Sequence, residues 1–149
     1  LGEYDWTAAF IDREQTQLPI EEQTSLSALN SARLALARGD YNGVLIALRT
    51  VELQDFIHQL LARILQLKAY RALSLFDLAA THTQNTRVML RRKKTKSYHV
   101  TNYRNIFDLA HQLTRLPPGD KRAQEELRQL IERTEPLTER SWLLRELLK

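Results

Sequence analysis

Three short segments of this chain repeat a small residue followed two positions later by an aromatic: Gly2-Glu3-Tyr4, Gly39-Asp40-Tyr41 and Ser74-Leu75-Phe76, at spacings of 37 and 35 residues. That period matches a two-helix unit. It constrains the fold more than any single residue does, because such a unit cannot bury its apolar face alone and must stack on a neighbour. The small residue makes the tight turn between antiparallel helices, and the aromatic wedges between them.

The residues around these turns carry helical periodicity. Leu26, Leu29, Ala32, Leu34, Ala35 and Leu36 predict a helix over 25–38, with Thr24 or Ser25 as its cap and alanines small enough for close packing. Val44, Leu45, Leu48 and Val51 form the next apolar stripe. Phe56, Ile57, Leu60, Leu61, Ile64, Leu65 and Leu67 predict a strongly buried helix ending at Ala69-Tyr70, and Leu75, Phe76, Ala79, Met89 and Leu90 continue the following one. Further on, Val100, Tyr103, Ile106, Phe107, Ala110, Leu113 and Leu116 recur at steps of three and four, one continuous stripe on a long helix. Pro117-Pro118-Gly119-Asp120 ends it, and Asp120 caps a helix carrying Ala123, Leu127, Leu130 and Ile131. Pro136 breaks that helix. Thr138 opens a last one with Trp142, Leu143, Leu144, Leu147 and Leu148.

The turns and helices together resemble degenerate tetratricopeptide repeats. The family places a small residue at the eighth position of its unit, an aromatic at the eleventh, glycine near the fifteenth, an aromatic at the seventeenth and alanine at the twentieth. Ala32, Gly39 and Tyr41 match in the middle unit, Tyr70, Phe76 and Ala79 in the next, and Gly2 and Tyr4 in the first, with Pro19 at the changeover. Ala35, Val44 and Ser74 depart from the pattern. The chain also resembles the C-terminal part of uncharacterised bacterial helical-repeat proteins, through Leu67-Lys68-Ala69-Tyr70, Leu90-Arg91-Arg92 and Asn102-Tyr103. The fold implied is all-α: antiparallel hairpins stacked as a tetratricopeptide-like α-solenoid over 1–96, with helices over 97–149 packing as a C-terminal cap in one continuous domain. Gly2 then occupies the turn of a repeat whose first helix lies upstream of Leu1, so the expectation is a piece of a longer array.

Composition narrows the chemistry. With 149 residues, of which 43% are hydrophobic, the chain can bury roughly 70% of its unfolded surface without a disulfide or metal. No cysteine means no thiolate zinc site, no iron–sulfur cluster and no cysteine nucleophile. Four glycines leave little material for phosphate loops, and neither a P-loop nor a GxGxxG occurs. The longest apolar run, 44–48, falls far short of the roughly 18 residues of a membrane span. With no basic leader or apolar h-region in its first residues, the chain is expected in the cytoplasm, leaving a signal or anchor upstream of Leu1 open.

Catalytic constellations are missing from the pattern. His58, His82, His99 and His111 share no HExxH spacing, and only Asp108 with His111 sits at i, i+3 on one helical face. No serine stands in a GxSxG elbow. The pairs Glu21-Glu22 and Glu125-Glu126 fall at predicted helix starts, where carboxylates favour the dipole. The expectation is a protein that is not an enzyme and uses no cofactor or metal.

Binding is the remaining kind of work. A stacked array lines its concave face with the first helix of each pair, which names Asn30, Arg33, Arg63 and Lys68 as partner-binding candidates for a protein of unknown identity. No tetratricopeptide clamp for a C-terminal carboxylate is present. Two rival readings remain. Residues 1–86 carry a net charge of −3 and 87–149 one of +7, most of it from Arg87, Arg91, Arg92, Lys93, Lys94 and Lys96. That basic patch, with Tyr98, His99, Tyr103 and Arg104 behind it, offers contacts to nucleic acid or another acidic partner; equally, it can be a solvated helix end complementing its dipole. In the other reading the domain self-associates as a homo-oligomer. Trp6 and Trp142 read as packing residues, with interface roles as the sharper alternative.

Overall fold

The structure is a computed structural model and describes residues 20–149, apart from the side chains at 21 and 22. Gly2, Tyr4, Trp6 and Pro19, with the first turn they define, lie outside the described residues, and so does the Glu21-Glu22 pair. The described residues are all helical: α1 (Ile20–Ala37), α2 (Tyr41–Leu48), α3 (Phe56–Ala72), α4 (Phe76–Arg92), α5 (Tyr98–Thr114), α6 (Lys121–Arg133) and α7 (Arg140–Leu147). They form two compact units, one ending at Leu75 and one covering Phe76–Lys149.

In the first unit α1, α2 and α3 pack against one another in all three pairings. Leu29 and Ala32 of α1, Val44 and Leu48 of α2, and Ala62, Leu65 and Ala69 of α3 build its core. Alanine at 32, 62 and 69 lets the helix axes approach closely, as the alanine-rich stripe of the sequence implies. The start of α1 differs from the expectation. The helix is already formed at Ile20, so Thr24 and Ser25 are interior residues rather than caps: Thr24 Oγ1 donates back to the Ile20 carbonyl, and Ser25 Oγ donates to the Glu52 carbonyl at 3.2 Å. Ser25 thereby ties α1 to the connector 49–55, which Gln59 Nε2 also holds through the Leu53 carbonyl at 2.7 Å.

The chain leaves α1 and α3 by terminations of the same construction. After α1, Gly39 has φ 75°, its N–H donates to the Leu36 carbonyl and the N–H of Asp40 donates to the Ala35 carbonyl. After α3, Ser74 has φ 58°, its N–H donates to the Arg71 carbonyl and the N–H of Leu75 donates to the Tyr70 carbonyl. Both are Schellman terminations with a left-handed residue, 35 positions apart. Ser74 therefore fills the glycine slot of the second turn, at the steric cost of a Cβ. Substituting Ser74→Gly is expected to stabilise the protein by about 0.5–1 kcal/mol, the relief of the left-handed conformation outweighing glycine's extra unfolded-state entropy. Gly39→Ala is expected to cost about 1 kcal/mol although no atom lies within 4 Å of the added Cβ. Urea denaturation followed by circular dichroism checks both, and a loss of stability in Ser74→Gly would contradict the equivalence of the two turns.

In the second unit α5 packs against α4, α6 and α7. Val100, Ile106, Phe107, Leu109, Ala110 and Leu113 are buried on it, facing a core that includes Leu90, Leu127, Ile131, Leu137, Trp142 and Leu143. The aromatic expected to wedge at the second turn does not do so, since Phe76 is 54% exposed and Leu75 and Leu78 are exposed beside it. The buried residues of α4 are instead Ala79, Thr83, Thr86 and Leu90, four positions on one helical face. The helix over 76–92, grouped with the repeats on sequence spacing, packs here with α5. Thr83 and Thr86 tolerate full burial because their hydroxyls donate to the Ala79 and His82 carbonyls at 2.8 Å.

Side chains close several helix ends in this unit. Asp120 caps α6 by accepting from the Ala123 N–H at 2.9 Å, as expected, and Gly119 supplies the positive φ of the preceding turn. Arg104 donates to the Leu90 and Lys93 carbonyls behind α4, Arg140 to the Ile131 and Thr134 carbonyls behind α6, and Gln124 to the Leu147 carbonyl of α7. Thr138 does not open the last helix. Its N–H and hydroxyl are taken by Asn102 of α5, and α7 starts at Arg140 after Glu139. Asn105 adds a bond to the carbonyl of Pro136, whose peptide bond with Glu135 is cis.

Candidate interaction surfaces

The four candidate lining residues lie on α1 and α3, which pack on each other. Asn30 and Arg33 share one side of α1, Arg33 exposed and Asn30 half-buried. Arg63 and Lys68 are half-buried on α3, and five residues of helix set them about 140° apart around its axis. Burial pulls the Arg63 guanidinium below its ordinary value. The four therefore lie on one packed pair of helices without converging into a single cluster.

A groove of about 770 Å³, lined by none of the four, lies between the start of α1 and the connector, with Thr24, Ser25, Leu26, Val51, Leu53 and His58 among its lining residues. Two acidic residues, Glu52 and Asp55, line it, and Asp55 is engaged locally, accepting from the His58 N–H at 2.9 Å as the N-cap of α3. A capping carboxylate is fixed by the helix it serves and is poorly placed as a general base.

The basic patch divides in two. Arg87 is withdrawn from it: the side chain is 25% exposed, pairs with Asp108 of α5 at 2.9 Å and donates to Gln84 at 3.1 Å. The others are exposed, with Arg91 and Arg92 in the last turn of α4 and Lys93, Lys94 and Lys96 in the connector to α5. Ser97 caps α5 through the Val100 N–H at 3.2 Å. Next to it Tyr98 is 64% exposed, and its ring meets that of His99 edge to face at 5.8 Å. Tyr103 is half-buried on the apolar stripe of α5.

The same ion pair decides the Asp108–His111 spacing. Asp108 is committed to Arg87, and His111 is held below its ordinary imidazole value, first by desolvation and then by the charges of Arg87 and Arg115. The neutral imidazole is the form the fold favours. Its contribution to stability is complete above the unfolded value near 6.5 and is lost as pH falls from there through the lowered folded value. A proton NMR titration is expected to place His111 below 6.5, with Arg87→Gln moving it upward by removing one cation and freeing Asp108; a value above 6.5 in the unmodified protein would contradict the assignment.

The remaining polar side chains work within helices. On the exposed face of α6, Glu125 accepts from Arg128 at 2.5 Å and from Gln129 at 3.1 Å, which holds its carboxyl at about 2, and Glu126 accepts from Arg122 at 2.9 Å. The Glu125-Glu126 pair is thus spent on neighbouring cations rather than on the helix start. Among the described residues no group of three His, Asp or Glu stands close enough to hold a metal, and no helix is long and apolar enough to cross a membrane. Trp142 is buried against the second core, where α7 packs on α5 and α6. Comparison with protein-family models, curated proteins and solved structures gives no match to the chain.

Proposed function

We propose that the chain is a noncatalytic helical-repeat domain of the tetratricopeptide-like kind, stacking its helix pairs as a solenoid with a C-terminal cap and binding another protein through the face shared by α1 and α3. One observation carries the reading: the turns at Gly39 and Ser74 close by the same pair of hydrogen bonds 35 residues apart, with α2 and α3 between them and α1, before the first turn, packed on both. A repeat whose consecutive first helices lie side by side would be built in this way, which supports the reading. The step from architecture to binding is analogy, because a fold does not specify its function.

Affinity capture with quantitative mass spectrometry tests the proposal. Proteins enriched by the unmodified chain are expected to be lost with the double variant Arg33→Glu and Arg63→Glu and retained with neutral replacements at Lys93, Lys94 and Lys96. Equal recovery with the α1/α3 variant would overturn the reading.

A second reading, an anionic partner held by the basic segment, is favoured by a separate observation. From Leu78 to Phe107, thirty consecutive residues include Arg87, Arg91, Arg92, Lys93, Lys94, Lys96 and Arg104 and not one Asp or Glu. A helix end needs one or two cations to complement its dipole, and this stretch far exceeds that.

A further inference from the structure

Resting on the anionic-partner reading, we infer that the segment Arg91–Tyr98 is a binding site for single-stranded nucleic acid, in which the connector cations track the phosphates and Tyr98 stacks on a base. Three features of the site lead there.

The first is electrostatic. Arg91, Arg92, Lys93, Lys94 and Lys96 are five exposed cations within six positions, with no carboxylate in the surrounding sequence. Asp108, which ends the carboxylate-free stretch, is itself paired with Arg87 at 2.9 Å. The segment thus concentrates positive charge in sequence and on the surface, as a phosphate chain requires.

The second is order. A string of lysines in an untethered loop attracts anions without positioning them. Here the connector is bounded by the α4 carboxyl end, where Arg104 reaches the Leu90 carbonyl at 3.3 Å and the Lys93 carbonyl at 3.4 Å, and by the Ser97 cap of α5. Only Lys94, Thr95 and Lys96 lie between those two anchors, so the cations are presented along a short, defined path.

The third feature selects single strands over duplexes and over acidic peptides. Tyr98, next to Lys96 and 64% exposed, is an aromatic for which burial offers no explanation. His99 contacts it edge to face, the rings inclined at 87°, so the flat face of at least one ring remains open. An open aromatic flanked by cations suits an unstacked base, whose π-face is hidden inside a duplex. Sequence-reading duplex binders commonly lay a helix or a β-ribbon in the major groove, whereas these cations lie on a connector and a helix end. An acidic peptide would use the charges and leave Tyr98 without a role.

The test is fluorescence polarisation with the full chain against labelled oligouridine, labelled oligothymidine, a DNA duplex of equal length and polyglutamate, over a salt series. Binding to one or both single strands is expected to exceed binding to the duplex and to polyglutamate, and the oligouridine and oligothymidine arms distinguish RNA from DNA. If all five exposed cations meet phosphates, the slope of log K against log salt is about −3.5. Tyr98→Ala is expected to weaken single-strand binding about tenfold and Tyr98→Phe to restore it, since stacking needs the ring and not the hydroxyl. Neutral replacement of Lys93, Lys94 and Lys96 is expected to flatten the slope by about 2. Unchanged single-strand binding in Tyr98→Ala, or duplex binding of equal strength, overturns the single-strand inference while leaving an anionic partner. Preferential binding of polyglutamate overturns it in favour of an acidic protein. Absence of salt-dependent binding to every probe removes both the inference and the reading beneath it.

Discussion

Phe107→Ala is expected to cost about 3–5 kcal/mol, the largest single effect expected among the described residues. Phe107 is the largest of the fully buried side chains, set in the middle of α5 where that helix meets its neighbours, with its ring 6.5 Å from that of His82 on α4. Removing the ring takes away its transfer free energy and leaves a cavity that three packed helices can close only partly. Phe107→Leu keeps most of the volume and is expected to cost about 1.5 kcal/mol or less. Urea denaturation of the two variants measures the difference. Equal losses would mean that the ring's volume is not what α5 contributes.

Asn102→Ala is expected to cost about 2–4 kcal/mol for a different reason. Asn102 is only 4% exposed, and its amide group does two jobs: Nδ2 donates to Thr138 Oγ1 at 2.9 Å, and Oδ1 accepts from the Thr138 N–H at 2.8 Å. Alanine would remove both bonds at once, releasing the N–H and hydroxyl of the exposed Thr138 from the body of the unit and leaving the buried site of the Asn102 amide unfilled. Thr138→Val keeps the N–H bond to Oδ1 but leaves the buried Asn102 Nδ2 without its acceptor, and is expected to cost about 1–2 kcal/mol, less than the loss of both bonds. Thermal or urea unfolding should rank Asn102→Ala well below Thr138→Val in stability; the reverse order would show that the Asn102 amide does not hold the connector between α6 and α7.

These two residues also mark how far the sequence could be read. Phe107 was legible, because an aromatic on a stripe with Val100, Ile106, Ala110 and Leu113 has one plausible destination. Asn102 was not. Its side chain satisfies a backbone group 36 residues away, and no local pattern records a partner at that distance. Thr83 and Thr86 were missed for a related reason. They continue the buried face set by Ala79 and Leu90, but a hydroxyl reads as polar until its bond back to the preceding turn is seen.

Turn chemistry was legible where it is local. Gly39, Asp120 and the Pro117-Pro118-Gly119 turn act over three to five residues, and each does what its residue type predicts. Thr24 and Thr138 misled because a threonine beside a helical pattern resembles a cap whether or not the helix begins there. At Phe76 the expected wedge is absent: the aromatic follows a turn like that at Gly39 yet is exposed, because α4 buries a face it does not share. Among candidate site residues, charge identified the segment around Arg91–Lys96, but the withdrawal of Arg87 to Asp108 depends on a contact between two helices that sequence does not display.

The central claim is that α1 and α3 together present a face that holds another protein. Photo-crosslinking addresses it most directly, with benzoylphenylalanine placed at Arg33 on α1 and, as a control, at the exposed Gln129 on α6. Covalent adducts with a protein partner are expected from position 33 and not from position 129. Adducts from 129 alone, or from neither position while the same partner is still captured by the unmodified chain, would contradict the claim.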